Sequence, residues 1–207
     1  MINYEKKVAD SFHTISEPSE GLFKDKGSKF LSFAIPIENN QEIKALLEKY
    51  RKEYYDARHV CYAYMIGAER NEYRSNDDGE PSGTAGKPIL GQINSYNLTN
   101  ILIIVVRYFG GILLGTSGLI NAYKNAAKDA IDNAKIVTCA IKIQHTISVP
   151  YDIINDIMRI IKDNRAQIVQ TEYDNNNQIL TIQVEQALND NFETKITKYE
   201  GYGLKRF

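Results

Sequence analysis

Hydrophobic and polar positions along the first third of the chain predict a hairpin followed by a helix. Residues 22–37 read as two strands with Lys26 and Gly27 near the turn. Asn39 is the expected N-cap of the helix, with Glu42 three residues on, as in a capping box. The helix then repeats apolar residues every three or four positions, which predicts one buried face: Ile43, Leu46, Leu47, Tyr50 and Tyr54.

The middle of the chain predicts two buried strands and a long helix. His59 to Ile66 is rich in β-branched and aromatic residues, which is typical of a strand. Residues 100–107, NILIIVVR, are apolar without interruption, as in a strand covered on both faces. Thr116 or Ser117 is the expected cap of the following helix. Its inward residues recur at helical spacing: Leu119, Ile120, Tyr123, Ala126, Ala127, Ala130, Ile131 and Ala134.

The order of elements changes near residue 135. Alternation over residues 141–149 predicts a half-buried strand, with His145 in phase with its inward residues and therefore partly buried. A helix, strands over 167–173 and 178–184 joined by a turn at 174–177, a last helix and a short edge strand in GYGLKRF follow. This β-α-β-β-α-β order is the plan of a ferredoxin-like unit. We therefore predict two domains, residues 1–134 and 139–207.

Composition limits the classes of function. The chain is 43% hydrophobic and 25% charged, which is typical of a globular protein with a core. Its net charge is −1 and each half is nearly balanced, so the strong basic excess of many nucleic-acid-binding proteins is missing. Cys61 and Cys139 are predicted to be buried free thiols, without zinc spacing. No apolar run is long enough for a signal peptide or a membrane span, so we expect a cytoplasmic protein.

Residues 74–88, RSNDDGEPSGTAGKP, contain no large aliphatic side chain and are predicted to form a loop before the short helix ILGQINSYN. Backbone and hydroxyl groups near the helix start could cradle an anion: Ser82, Thr84 and the amides around Gly83 and Gly86. Nearby acids would repel a phosphate unless a divalent cation such as Mg²⁺ lay between them: Asp77, Asp78 and Glu80. A solvated loop without a ligand is the alternative interpretation.

A glycine-rich stretch, RYFGGILLGTSG at residues 107–118, precedes the long helix. Its glycines would let backbone amides approach an anion, or would equally allow close packing of the helix. Arg107 ends an apolar strand, so its guanidinium is expected to pair with Asp77 or Asp78 or to meet a ligand. His59 is interpreted as a structural histidine rather than a general base, because no nucleophile can be assigned to it.

Three strings carry a family resemblance: DGEPSGTAGKP at residues 78–88, VVRYFGGILLG at 105–115, and Gly118-Leu119 with Ala122-Tyr123. Together they resemble the YigZ/IMPACT family over residues 20–134. The resemblance implies an α+β protein with a first domain like the second domain of ribosomal protein S-five. It implies a second, ferredoxin-like domain similar to a late domain of elongation factor G.

The resemblance also implies a role in translation. Eukaryotic IMPACT relatives regulate translation by acting on the activation of a starvation-responsive kinase, through a further N-terminal domain, and we do not expect that mechanism here. Two positions depart from many bacterial members, Leu113 in place of a lysine and Asn121 in place of an arginine. Both departures remove positive charge beside the glycine loop.

We therefore expect a cytoplasmic, non-enzymatic regulator of translation that binds RNA or the ribosome. A Mg²⁺-dependent, kinase-like enzyme that binds a phosphate ligand and a protein-interaction module are the alternatives. No cofactor is expected apart from weakly held Mg²⁺, and neither a membrane partner nor a DNA-specific signal is indicated. No catalytic residue is assigned. The predicted ligand-binding or nucleic-acid-binding residues are Arg74, Asp77, Asp78, Glu80, Ser82, Gly83, Thr84, Lys87, Arg107, Gly110, Gly111 and Gly115.

Overall fold

A computed structural model describes residues 10–174 and 176–207. It is a mixed α/β protein whose described residues form two compact units. The first unit is Phe12–Cys139, and the second is Ala140–Phe207 together with residues 10–11. Within the described residues, no helix is both long and apolar enough to cross a membrane.

The first unit is built on a five-stranded antiparallel sheet, with strand order β2-β3-β6-β4-β5. Strands β1 and β7 form a separate two-stranded sheet. In chain order the elements are β1 (Ser11–Ile15), β2 (Ser19–Asp25), β3 (Ser28–Pro36), α1 (Asn40–Glu53), β4 (His59–Ile66), β5 (Glu72–Asn76), α2 (Gly86–Ser95), β6 (Ile101–Tyr108), α3 (Gly115–Asp132) and β7 (Ile136–Ala140).

Strand β6 lies at the centre of the sheet and is buried on both faces, as its uninterrupted apolar sequence predicted. Ile103 and Val105 belong to the core that also contains buried residues of α2 and α3. Leu102 and Ile104 point to the opposite face and join the core against which α1 packs. The register places Arg107, at the end of β6, opposite Phe30 of β3 and His59 of β4.

The hairpin and the first helix cap are confirmed. Lys26 and Gly27 form the turn between β2 and β3, with φ of 43° and 81°. The Asn39 side chain accepts hydrogen bonds from the amides of Gln41 and Glu42, which satisfies two free donors of α1. The Glu42 carboxylate in turn accepts from the amide of Glu38 at 3.2 Å.

The cap predicted for the long helix is wrong. Helix α3 begins at Gly115, and the residue at its N-cap position, Leu114, makes no side-chain capping bond. Gly115 has a φ of 72°, so the chain turns there and enters the helix before Thr116 and Ser117. These two hydroxyl residues consequently lie inside the first turn.

The polar segment before α2 is also more ordered than predicted. Its first part forms β5, which pairs with β4 and places Arg74 opposite Tyr64. This strand was missed because an edge strand needs no apolar side chains and its sequence reads as a loop. Helix α2 begins at Gly86, ahead of the apolar residues that marked its predicted start.

The second unit has a four-stranded antiparallel sheet with strand order β11-β8-β10-β9. Its elements are β8 (Lys142–Pro150), α4 (Ile154–Asp163), β9 (Gln167–Tyr173), β10 (Asn177–Glu185), α5 (Gln186–Thr197) and β11 (Lys205–Arg206), with a 3₁₀ turn at Glu200–Tyr202. The core lies between the sheet and the two helices and is formed by residues such as Ile147, Ile157, Leu180 and Phe192. The predicted turn at 174–177 includes Asn175, which lies outside the described residues.

The structure tests two further predictions, one for the burial of His145 and one for the burial of the two cysteines. His145 is half-buried, with Nε2 2.7 Å from Asn189 Oδ1 and Nδ1 3.2 Å from Glu193 Oε1, as predicted for a satisfied histidine. Both cysteines are free, but only Cys61 is fully buried. Cys139 is half-buried, because it lies in β7 of the small sheet rather than in the central core.

Candidate functional site

Arg107 forms a buried ion pair at the end of the central strand. Its Nη1 donates to Oε1 of Glu80 at 2.6 Å, and both side chains are more than nine-tenths buried. The prediction that Arg107 pairs with Asp77 or Asp78 is therefore wrong. The amide of Glu80 donates to the carbonyl of Asp77 at 2.9 Å and closes a turn. Because of this turn, Glu80 rather than either aspartate lies at the end of the strand.

Two further polar side chains lie near the same oxygen of Glu80. The Tyr123 hydroxyl, from α3, donates to Oε1 at 2.8 Å, and His59 Nε2 lies 3.9 Å away. Burial, with Cys61 and Glu80 nearby, raises the pKa of Tyr123 well above its usual value, so its hydroxyl stays a donor. A buried carboxylate that is paired and hydrogen-bonded in this way holds the polar loop onto β4, β6 and α3.

Asp77 occupies the amide cluster that was predicted to cradle an external anion. Its carboxylate accepts from the amides of Gly83 at 2.8 Å, Ala85 at 3.0 Å and Gly86 at 2.8 Å. Burial acts to raise the pKa of Asp77, but these hydrogen bonds outweigh it and hold the pKa below its usual value. The expectation of a free anion cradle at Gly83 and Gly86 is wrong, because the protein's own carboxylate fills it.

Asp78 is bound to a different set of groups. It forms an ion pair with Arg51 of α1 at 2.6 Å and accepts from the Val60 amide at 2.7 Å. Its carbonyl oxygen lies 2.8 Å from His59 Nδ1. The carboxylates of the three acids thus accept from three different sets of donors, while His59 lies between Asp78 and Glu80. The described residues contain no cluster of three or more His, Cys, Asp or Glu side chains suited to a metal.

A cavity of about 310 Å³ lies beside the Arg107–Glu80 pair. Both predicted loops line this cavity, with Glu80 and Pro81 from the polar loop and Phe109 and residues 113–116 from the glycine-rich stretch. Its polar lining is Arg58, His59, Glu80, Arg107 and Thr116. Its apolar lining includes Phe109, Leu113, Leu114 and Leu119.

The glycines of the second loop have unequal roles. A Cβ atom on Gly110 would come 1.9 Å from the carbonyl carbon of Gly27, so Gly110 allows the loop to pack on the β2–β3 turn. Its amide donates to Ser28 Oγ at 3.1 Å. Gly111 and Gly115 have φ of 87° and 72°, which side chains rarely adopt, and have open space around their Cβ positions.

The remaining predicted residues do not meet at this cavity. Ser82 and Lys87 are exposed, and Lys87 lies close enough to Asp77 to help lower its pKa. Thr84 is buried and its hydroxyl donates to the Pro81 carbonyl at 2.6 Å. Arg74 lines a different cleft of the first unit.

That second cleft, which we call the basic cleft, has a volume of about 390 Å³ and lies between α1 and strands β4 and β5. Lys44 and Arg51 of α1 and Arg74 of β5 surround it, and Tyr62 and Tyr64 of β4 form its floor. Only Arg74 of these was predicted as a site residue. The others lie on α1 and β4, and they meet Arg74 only because α1 packs on the sheet and β5 pairs with β4, which are tertiary contacts that the sequence pattern does not give.

Comparison with known proteins identifies the family of this chain. Residues 26–131 match the family model described as the Impact N-terminal domain. The chain is a member of the IMPACT family. It is 32% identical to the IMPACT family member YvyE of Bacillus subtilis, over 86% of this chain and 82% of the relative. It is 34% identical to the IMPACT family member YigZ of Escherichia coli, over 72% and 74% of the two chains.

The fold of this IMPACT family member also matches a solved structure along its whole length. A crystal structure described as that of a hypothetical protein superposes with a TM-score of 0.76 at 29% identity, covering 96% of this chain and 97% of the other. The resemblance to the YigZ/IMPACT family that the sequence motifs indicated is thus confirmed.

Proposed function

We propose that this IMPACT family member is a regulator of translation that binds RNA, either within the ribosome or free. The observation that carries the proposal is the basic cleft, in which cations surround two tyrosines. Basic side chains attract the phosphate backbone, and an exposed aromatic ring provides a surface on which an unpaired base stacks. Tyr64 is partly exposed and offers such a ring, whereas Tyr62 is buried in the core.

The charge of the basic cleft favours a polyanion. Lys44 and Arg74 form no ion pair with another described residue, whereas Arg51 is paired with Asp78. Glu48 is the acid among the lining residues. Tyr64 lies directly across from Arg74 in the β4–β5 ladder, so a base on the ring and a phosphate on the guanidinium could be bound side by side.

The link to translation rests on the family rather than on the cleft. We propose for the first unit the fold of the second domain of ribosomal protein S-five, and for the second unit a ferredoxin-like fold related to elongation factor G. The β8-α4-β9-β10-α5-β11 order and the β11-β8-β10-β9 sheet support the second assignment. Both folds recur in proteins of the translation machinery.

Sedimentation with ribosomes tests the proposal. The wild-type chain is expected to pellet with ribosomes at low salt and less at moderate salt, because phosphate contacts weaken as salt rises. The double charge reversal Lys44→Glu/Arg74→Glu is expected to leave the protein in the supernatant at both salt concentrations.

The matched control is Lys24→Glu/Lys124→Glu. It makes the same change in charge at two exposed lysines of the same unit that do not line the basic cleft. This control is expected to pellet like the wild type. Loss of pelleting in both double variants, or no pelleting of the wild type and no binding to free RNA, would refute the proposal.

A further inference from the structure

The cavity beside the Arg107–Glu80 pair is separate from the basic cleft and has features of a small-molecule site. Its volume of about 310 Å³ falls at the lower end of the range for ligand pockets. Most such pockets are apolar with a few polar groups that orient the ligand. Here Phe109, Leu114 and Leu119 provide the apolar wall, and Arg58, Arg107 and Thr116 provide the polar groups.

Arg107 is the strongest indication that the cavity binds a ligand. Its side chain is only 7% exposed, yet its Nε has no hydrogen-bond partner. Buried donors without a partner cost free energy and are rare in native proteins. The guanidinium carbon lies 5.5 Å from the ring centre of Phe30 and 5.7 Å from that of Phe109, so both rings are within the range of a cation–π contact.

The charges of the lining select a singly charged anion. Arg58 and Arg107 are opposed by Glu80, which leaves one net positive charge apart from His59. Arg58 is exposed and forms no ion pair with another described residue. A phosphate dianion would leave one negative charge uncompensated in this lining, whereas a carboxylate balances the single positive charge and can pair with a guanidinium. The start of α3 at Gly115 also lines the cavity and adds backbone donors to it.

We propose that this cavity binds a small carboxylic acid with an apolar body. The carboxylate lies toward Arg58, Arg107 and the start of α3. The apolar body packs on Phe109 and Leu119. Phe109 and Leu113 are 45% and 84% exposed, so the ring and the rim are accessible from solvent.

Calorimetric titration of the full chain with phenylacetate tests the proposal, with phenylethanol as the neutral ligand of the same shape. Phenylacetate is expected to bind in the millimolar range or tighter. Phenylethanol is expected to bind about tenfold or more weakly, because it has no charge with which a guanidinium can pair. Inorganic phosphate is expected not to compete. Absence of phenylacetate binding to the folded wild type, equal binding of the alcohol, or displacement by phosphate overturns the proposal.

Two substitutions locate the binding. Arg58→Gln changes an exposed side chain at the rim and is expected to weaken phenylacetate binding several-fold. Arg159→Gln, the same change at an exposed arginine of the second unit, is expected to have no effect. The paired change Glu80→Gln/Arg107→Gln avoids an unpaired buried charge and keeps the net charge of the lining, so it is expected to reduce the preference for the acid over the alcohol only through the lost Arg107 guanidinium. Unchanged binding in both cavity variants overturns the proposal.

The outcome is independent of RNA binding. Lys44→Glu/Arg74→Glu leaves every residue that lines the cavity in place and is expected to bind phenylacetate like the wild type. Loss of phenylacetate binding in this cleft variant, with the fold retained, counts against a separate site.

Discussion

Two acids of the polar loop, Asp77 and Glu80, each bind donors supplied by the protein itself. Asp77 accepts three backbone amides, and Glu80 accepts from Arg107 and Tyr123. These hydrogen bonds attach the loop to the rest of the first unit and occupy the amides that an open phosphate loop would offer to a ligand. The residue types of this arrangement were visible in the sequence, but their pairing depends on the turn between Asp77 and Glu80. Spacing along the chain could not distinguish among three acids within four positions.

Asp77→Asn is expected to lower stability and to change its dependence on pH. The folded-state pKa of Asp77 lies below its unfolded value, so the contribution to stability is present above about pH 3.9 and is lost as the pH falls through the folded pKa. The amide side chain keeps the shape but removes the charge, which is expected to cost about 1–3 kcal/mol at neutral pH. Urea unfolding from pH 7 to about pH 2, a range that extends well below the unfolded pKa of about 3.9, measures both effects.

The free energy of unfolding below about pH 4 decides whether this account of Asp77 is correct. In the variant, the free energy of unfolding should fall less steeply below about pH 4 than in the wild type. Glu17→Gln, at an exposed acid of the same unit, is the control and should reproduce the wild-type profile. Parallel profiles for the wild type and Asp77→Asn would show that the amide cluster does not hold the charged carboxylate.

At the scale of elements, the sequence predicted the helices, strands and turns that are determined by local residue patterns and by burial in the core. The β2–β3 hairpin, the Asn39 cap and the doubly covered β6 were all anticipated, because turn chemistry, capping and apolar runs are local signals. Strand β5 was not anticipated. Its residues are polar and lie at the sheet edge, so the pairing with β4 is a tertiary effect that overrides a loop-like sequence. That pairing places Arg74 beside residues of α1 and β4, so the basic cleft was missed.

Gly110→Ala tests the packing between the glycine loop and the β2–β3 turn. A methyl group would overlap the backbone of Gly27 and Ser28, so the loop must shift, and a cost of about 1–3 kcal/mol or more is expected. Gly91→Ala is the matched control, because nothing lies within 4 Å of its Cβ position inside α2. It is expected to raise stability by up to about 1 kcal/mol.

Thermal unfolding of the two alanine variants measures the difference. The melting temperature should fall for Gly110→Ala and stay level or rise for Gly91→Ala. Equal melting temperatures would mean that the glycine loop does not need its close approach to the turn.

At the scale of the whole molecule, charge is distributed unevenly although the total is nearly neutral. The net charge of −1 means that the composition alone gives no indication of nucleic-acid binding. Folding nevertheless brings Lys44, Arg51 and Arg74 together from α1 and β5. Composition cannot detect such a patch, because it depends on which elements are neighbours.

The salt dependence of RNA binding tests the central claim most directly. The affinity for a fluorescent single-stranded RNA is measured at several salt concentrations for the wild type and for Lys44→Glu/Arg74→Glu. The slope of log affinity against log salt should become shallower by about 0.7 for each phosphate that the variant no longer neutralises, or about 1.4 for the pair. Lys24→Glu/Lys124→Glu should keep the wild-type slope. The same slope and affinity in the wild type and in the basic-cleft variant would contradict the account.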